Sequence, residues 1–322
     1  MSRDSVPLLV DSVIAGPTLR ANGSICTKVY LIGAILLVFG LGLGFLGGCA
    51  QPGGYRALEA LSDEWVRKDV VVAGVPMVTL APLSQQARGA LVVYIEGDGR
   101  AWASRRTPSK NPTPDNAVAL ALAQHSAPSA RLYLGRPCQY LLQPLPGQCE
   151  SEIWTNSRYS PDNVRRLSGA LDTYLSENQW LLSENQWLQA PDIYLVGFSG
   201  GGVMALLLAD LRPDIAGVIT VAGNLDVAGW ADWHQVSPLT NSLNPRDSAA
   251  TLSSIPQIHW RGENDTIVPV EAQRGYLNGL AANAVVEVKI IKGVDHSCCW
   301  SENWPRMLRE SLDFLGFADR AE

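Results

Sequence analysis

A serine stands between glycines in Gly197-Phe198-Ser199-Gly200-Gly201, directly after the apolar run Asp192–Val196 and just before the helix-prone stretch Val203-Met204-Ala205-Leu206-Leu207-Leu208. A hydroxyl presented at a sharp strand-to-helix turn needs small neighbours, because the backbone there is strained and closely approached. The helix N-terminus also offers unpaired N–H groups to a developing oxyanion. Serine attacks poorly unless a base takes its proton and an acid orients that base. Two later segments supply such groups. The run Gln257–Arg261 ends in Gly262-Glu263-Asn264-Asp265-Thr266-Ile267-Val268-Pro269, and the run Val285–Ile291 ends in Lys292-Gly293-Val294-Asp295-His296. Ser199 as nucleophile, His296 as base and Asp265 as acid is the expected set. The chain has four histidines, and of the others His259 lies inside a predicted strand, while His234 follows Asp226 and Trp230 in a predicted loop and could line the pocket. Asp226 is the reserve candidate for the acid.

These residues need a frame. Apolar runs rich in β-branched residues alternate with segments of helical period, the pattern of a mainly parallel sheet with crossover helices. Predicted strands are Val70–Val72, Met77–Leu80, Leu91–Ile95, Arg131–Leu134, Asp192–Val196, Ile215–Val221, Gln257–Arg261 and Val285–Ile291. Predicted helices lie near Asn116–Gln124, Asp162–Leu182, Gly200–Leu211 and Asn303–Leu315. Asp265 and His296 then fall just past strand C-terminal ends, where parallel sheets build their sites. LSENQWL occurs at Leu175–Leu181 and again at Leu182–Leu188. Seven residues make nearly two helical turns, so this duplication turns the helix face by only about 20° and lengthens a surface helix without catalytic meaning.

GFSGG, GENDTIVP and GVDHS, in that order, resemble the nucleophile, acid and histidine segments of the α/β-hydrolase superfamily, over about Val70 to Phe314. The resemblance implies an α/β fold with a mainly parallel eight-stranded sheet flanked by helices, and a serine hydrolase working through an acyl-enzyme. It also implies an oxyanion hole built from the amide of Gly200 and one from the loop after the third strand. That loop here is Glu96-Gly97-Asp98-Gly99, where many members carry a His-Gly turn, so Asp98 or Gly97 is the expected donor. Its two carboxylates would oppose an oxyanion if they faced it. They are expected to turn away, to hold the loop or bind a cationic part of a substrate.

From Val29 to Gly48 the sequence is uncharged and about long enough to cross a hydrocarbon core as a helix. Its end, Leu46-Gly47-Gly48-Cys49, resembles the lipobox of bacterial lipoproteins, which implies cleavage before Cys49, lipidation of its thiol and several acyl chains for stable anchoring. Ala50 after Cys49 favours the outer membrane by the same resemblance. The alternative is an uncleaved single-pass helix. The expected division is an N-terminal region 1–28, set aside because it is long and holds Asp4 and Asp11, then a signal segment 29–48, a tether 49–60 and a catalytic domain 61–322. The last, about 260 residues, suffices for one α/β core.

Of six cysteines, Cys26 precedes the apolar segment and Cys49 is the lipid site. Cys138 and Cys149 bracket a Pro- and Gly-containing loop, and a disulfide between them would restrict the unfolded chain by up to about 3 kcal/mol. Cys298 and Cys299 form a vicinal disulfide, stay as thiols or pair elsewhere. The cysteine spacing lacks zinc knuckles, so no metal is expected, and no organic cofactor. A formal charge of −6 without a basic run sets nucleic acid aside as a partner. The expected partners are a small-molecule or lipid acyl substrate and, through the N-terminal anchor, a membrane. A carboxylic ester is the first substrate class, because it asks least of the leaving group; amide, thioester and peptide bonds stay open. Two other readings stand beside it: an acyltransferase on the same scaffold, and a non-catalytic envelope binding protein.

Overall fold

A computed structural model describes residues 53–85, 90–126, 130–178 and 192–317. The apolar segment, Cys49 and most of the LSENQWL duplication lie outside the described residues. Among the described residues no helix is long and apolar enough to cross a membrane.

The eight strands are β1 (Trp65–Val72), β2 (Val75–Pro82), β3 (Ala90–Ile95), β4 (Ala130–Leu134), β5 (Asp192–Phe198), β6 (Ile215–Val221), β7 (Gln257–Gly262) and β8 (Val286–Ile291). The helices are α1 (Gly53–Glu59), α2 (Val118–Gln124), α3 (Pro161–Glu177), α4 (Gly200–Leu211), α5 (Val227–His234), α6 (Ala249–Leu252), α7 (Glu271–Gly279) and α8 (Trp300–Phe314). The strands form one sheet in the order β1-β2-β4-β3-β5-β6-β7-β8, parallel from β4 to β8. β1 and β2 are antiparallel, and β2 pairs antiparallel with β4. This is the mainly parallel, helix-flanked sheet that the sequence predicts. β1 and β2 run longer than their apolar cores because Ala73 and Gly74, both at positive φ, close a two-residue hairpin that extends the pairing to Trp65 and Pro82.

β3 is buried along its whole length, as a central strand must be. Its residues alternate between the two faces: Val92 and Tyr94 pack with α2 and α8, while Leu91, Val93 and Ile95 pack with α3 and α4. α3 starts at Pro161 after Ser160, whose hydroxyl accepts from the Asn163 amide, and closes at Asn178 among the described residues.

Within the segment expected as a tether, Gly53–Glu59 is helical, because Ala57, Leu58 and Leu61 find apolar cover on the α2–α8 face and Tyr55 meets the Tyr140 ring edge-on at 6.3 Å. α5, α6 and α7 were not foreseen. They are short, and a hydrophobic period needs more turns than they have to stand out.

Candidate active site

β3 and β5 are neighbours, and their chains leave toward opposite sides of the sheet, which opens a crevice beyond their C-terminal ends. Ser199 stands there, between β5 and α4, at φ 52° and ψ −120°. A residue with a side chain in that region is strained by about 1–3 kcal/mol and persists only where its surroundings hold it. Three backbone bonds do so: Ser199 N–H to Val221 O (2.9 Å), and Asn224 and Gly202 N–H to Ser199 O (3.2 and 2.9 Å). A Cβ at Gly197 would come within 2.2 Å of the Gly201 carbonyl oxygen, and one at Gly201 within 2.3 Å of that of Ile95. Both positions therefore need glycine if strand and helix are to meet at this angle.

Asp265 follows β7 and His296 follows β8, and the structure brings both to Ser199. His296 Nδ1 lies 2.8 Å from Asp265 Oδ2, and Nε2 lies 3.0 Å from Ser199 Oγ. The other carboxylate oxygen of Asp265 accepts from the Ile267 and Val268 amides at 2.9 and 2.8 Å, which fixes the carboxylate plane. His296 packs on the Phe198 ring at 5.3 Å, and its carbonyl accepts from the Trp300 indole at 3.0 Å. Asp295 shapes the same loop: its Oδ1 accepts from the Ser297 and Cys298 amides, and these bonds hold its carboxyl below the usual range.

The remaining candidates stand elsewhere. Asp226, the reserve acid, caps α5 through Gly229 N–H (3.1 Å) and pairs with Asn244 and Arg246. His259 is buried against Thr220 Oγ1 at 2.9 Å, and burial pushes its pKa down to about 3. His234 reaches the Ile267 carbonyl at 2.8 Å, and so does the Trp230 indole N–H, also at 2.8 Å, which ties α5 to the segment carrying Asp265.

The loop after β3 carries two carboxylates, and each is turned to its own task. Glu96 is fully buried, accepting from its neighbour's Gly97 N–H (2.8 Å), from Tyr133 OH (3.0 Å) and from Tyr140 OH (3.4 Å), with the start of α2 at Ala119 and Leu120 also favouring its charged form. Burial raises its carboxyl above the usual range in spite of these donors. The Gly97 amide is therefore occupied, which removes it from the pair of expected oxyanion donors. Asp98 makes no such use of its own amide among the described residues. Its side chain accepts from Tyr159 OH (2.6 Å) and pairs with Arg136 (3.1 Å) and Arg158 (3.4 Å). A Cβ at Gly200 would fall 2.1 Å from Asp98 Oδ1, so the loop rests directly on the residue after the serine. Arg136, Arg158, Tyr159 and Trp300 were missed from the sequence. Each acts through a contact made only by folding, and none carries a local motif.

Together these elements border an open cleft of about 410 Å³, with Ser199, His296, Gly200 and Asp98 at its floor and Trp102 and Trp230 among its walls. Cys138 and Cys149 are joined in a disulfide, closing the loop that carries Tyr140, whose hydroxyl bonds that of Tyr133 beside Glu96. Cys298 and Cys299 are also joined, between His296 and α8. Among the described residues no group of three or more His, Cys, Asp or Glu side chains is placed to hold a metal.

Solved structures share this architecture. The alpha/beta hydrolase GrgF from Penicillium sp. sh18 matches 78% of this chain and 97% of its own at 16% identity, with a TM-score of 0.52. An esterase from Pyrococcus furiosus matches 78% and 90% at 13% identity and a TM-score of 0.51. A membrane phospholipase A, described as a bacterial virulence factor, matches 83% and 91% at 13% and 0.51. At these identities the likeness is one of fold: this chain has the fold of the alpha/beta hydrolases. No protein-family model matches the sequence, and no curated protein does.

Proposed function

We propose that the protein is a serine hydrolase that cleaves a carboxylic ester or related acyl bond, anchored in a bacterial cell envelope through lipidated Cys49. The observation that carries the catalytic reading is the unbroken hydrogen-bonded line from Ser199 Oγ through His296 to Asp265, opening on a cleft.

In this reading Ser199 Oγ attacks the substrate's carbonyl carbon while its proton passes to His296 Nε2. Asp265 holds Nδ1–H, keeps the ring in the tautomer that leaves Nε2 free to accept, and stabilises the imidazolium. The amides of Gly200, first in α4, and Asp98 receive the negative oxygen of the tetrahedral intermediate. His296 then gives its proton to the leaving alcohol, and water repeats the sequence on the acyl-enzyme, returning a carboxylic acid and free Ser199. Glu96 keeps its carboxylate beneath the loop, and Asp98 has its charge matched by arginines, so neither opposes the oxyanion.

The test is a fluorophosphonate probe on the full chain in neutral detergent. Labelling is expected in the natural protein and lost in Ser199→Ala, with ester turnover falling by at least about 10³-fold. A folded natural protein that takes no label would move the reading to the binding module. The anchor is tested on the same preparations: fatty-acid labelling in bacteria is expected to disappear in Cys49→Ala, and its persistence would refute lipidation there.

A further inference from the structure

Two guanidinium groups, Arg136 and Arg158, converge on one carboxylate, Asp98, and the side chains of both are nearly buried, 6% and 8% exposed. This knot holds one positive charge more than its carboxylate cancels. A buried charge without a counter-charge is costly. The two arginines differ in how they are satisfied. Arg136 donates from Nη1 to Asp98 Oδ1 (3.1 Å) and from Nη2 to the Arg158 carbonyl (2.5 Å). Arg158 meets Asp98 only at 3.4 Å through Nε, which is buried and forms no hydrogen bond. Its guanidinium lies over the rings of Tyr159 and Trp230, at 5.5 and 5.7 Å from their centroids. No acceptor among the described residues takes a hydrogen bond from its side chain, and the residue lines the same cleft as Ser199.

The other carboxylates of the cleft do not supply the missing charge. Glu96 is turned onto Gly97 N–H and Tyr133, and Asp115 is exposed and paired with Arg100 at 3.5 Å. Asp265 does not line the cleft and is engaged by His296. The surplus is a single charge, and Asp98 beside it would repel a dianion. A guanidinium presents a flat fork of donors that suits a carboxylate.

We propose that Arg158 is a recognition site for a carboxylate of the substrate, so that the ester cleaved is one carrying a single negative charge in its acyl or its alcohol part. The assignment rests on Ser199 being the nucleophile, since it takes its substrate class from the cleft they share. Arg158 and Ser199 thus read different parts of one molecule.

The test uses two pairs of esters and the full chain in neutral detergent. One pair is 4-nitrophenyl hemiglutarate against 4-nitrophenyl pentanoate, with the charge on the acyl side. The other is 4-butanoyloxybenzoate against its methyl ester, with the charge on the alcohol side. The natural protein is expected to favour the anionic member of one pair by about 10- to 100-fold in kcat/KM, the range for a hydrogen-bonded charge. That ratio should fall close to unity in Arg158→Gln and part of the way in Arg158→Lys. Because the ratio is read within each protein, general damage through the Asp98 loop cancels from it. If Arg158→Gln does not fold, the natural protein and the lysine variant decide. A natural protein that cleaves the neutral member of both pairs equally well overturns the proposal.

Calorimetry of the same esters with Ser199→Ala separates this outcome from failure of the hydrolase reading. Tighter binding of an anionic ester supports the Arg158 site even where no turnover is found. Equal binding of both members of each pair overturns it.

Discussion

Replacing Asp98 by Asn keeps the shape and the backbone amide of the loop but removes the one negative charge that Arg136 and Arg158 share. Removing one partner of a buried ion pair costs about 3–5 kcal/mol, chiefly because the other charge is left uncompensated. Asp98 retains 23% exposure, so water recovers part of the loss and the lower end, about 3 kcal/mol, applies. In a domain of this size that corresponds to a fall in Tm of about 6–12 °C. Ester turnover should fall too, because Asp98 packs on Gly200 and a relaxed loop takes its amide away from the serine. The assays are thermal and urea unfolding of the natural protein, Asp98→Asn, Arg136→Gln and the double variant. A coupling of at least about 1 kcal/mol is expected between the two positions. A Tm within about 2 °C of the natural protein, or a coupling near zero, would refute the argument that the carboxylate neutralises a buried charge.

Two further outcomes follow from the same geometry. Gly197→Ala sets a Cβ within 2.2 Å of the Gly201 carbonyl oxygen, where only backbone is available to move, so the turn must open; a loss of about 3 kcal/mol or more and of fluorophosphonate labelling is expected, and retained labelling would show that the turn tolerates a side chain. His259 titrates near pH 3 when folded but near its ordinary 6.5 when unfolded, so below pH 6.5 the unfolded chain gains a proton that the folded protein excludes. Stability is therefore full above that pH and falls by about 1.4 kcal/mol per unit below it, about 2 kcal/mol by pH 5. Urea unfolding from pH 7 to 5 should show that slope in the natural protein and a shallower one in His259→Gln; equal slopes would remove His259 as the cause.

The parts of the fold that were legible in the sequence are those whose signals are local. β6 is an apolar β-branched run with boundaries at Ile215 and Val221 in both descriptions, and the glycines around Ser199 mark a turn whatever surrounds them. That Asp265 and His296 come together beside Ser199 was readable because each follows a strand and lies in a short loop. The supports of the site were not readable for a different reason. Arg158 and Tyr159 meet Asp98 across some sixty residues of chain, and a basic or aromatic residue in a loop carries no mark of such a partner. Trp300 could be counted but not placed, since only the packing of α8 brings its indole to the His296 carbonyl. Gly97 and Asp98 were indistinguishable as donors until the Glu96 side chain was seen to take the Gly97 amide.

The Ile267 carbonyl accepts from both the Trp230 indole and the His234 ring, while the amide of the same residue donates to Asp265. One peptide segment therefore links the wall of the cleft to the acid. On the proposed mechanism, a substrate broad enough to displace α5 would also strain the segment that fixes the Asp265 carboxylate. Discrimination by size would then fall on turnover as well as on binding.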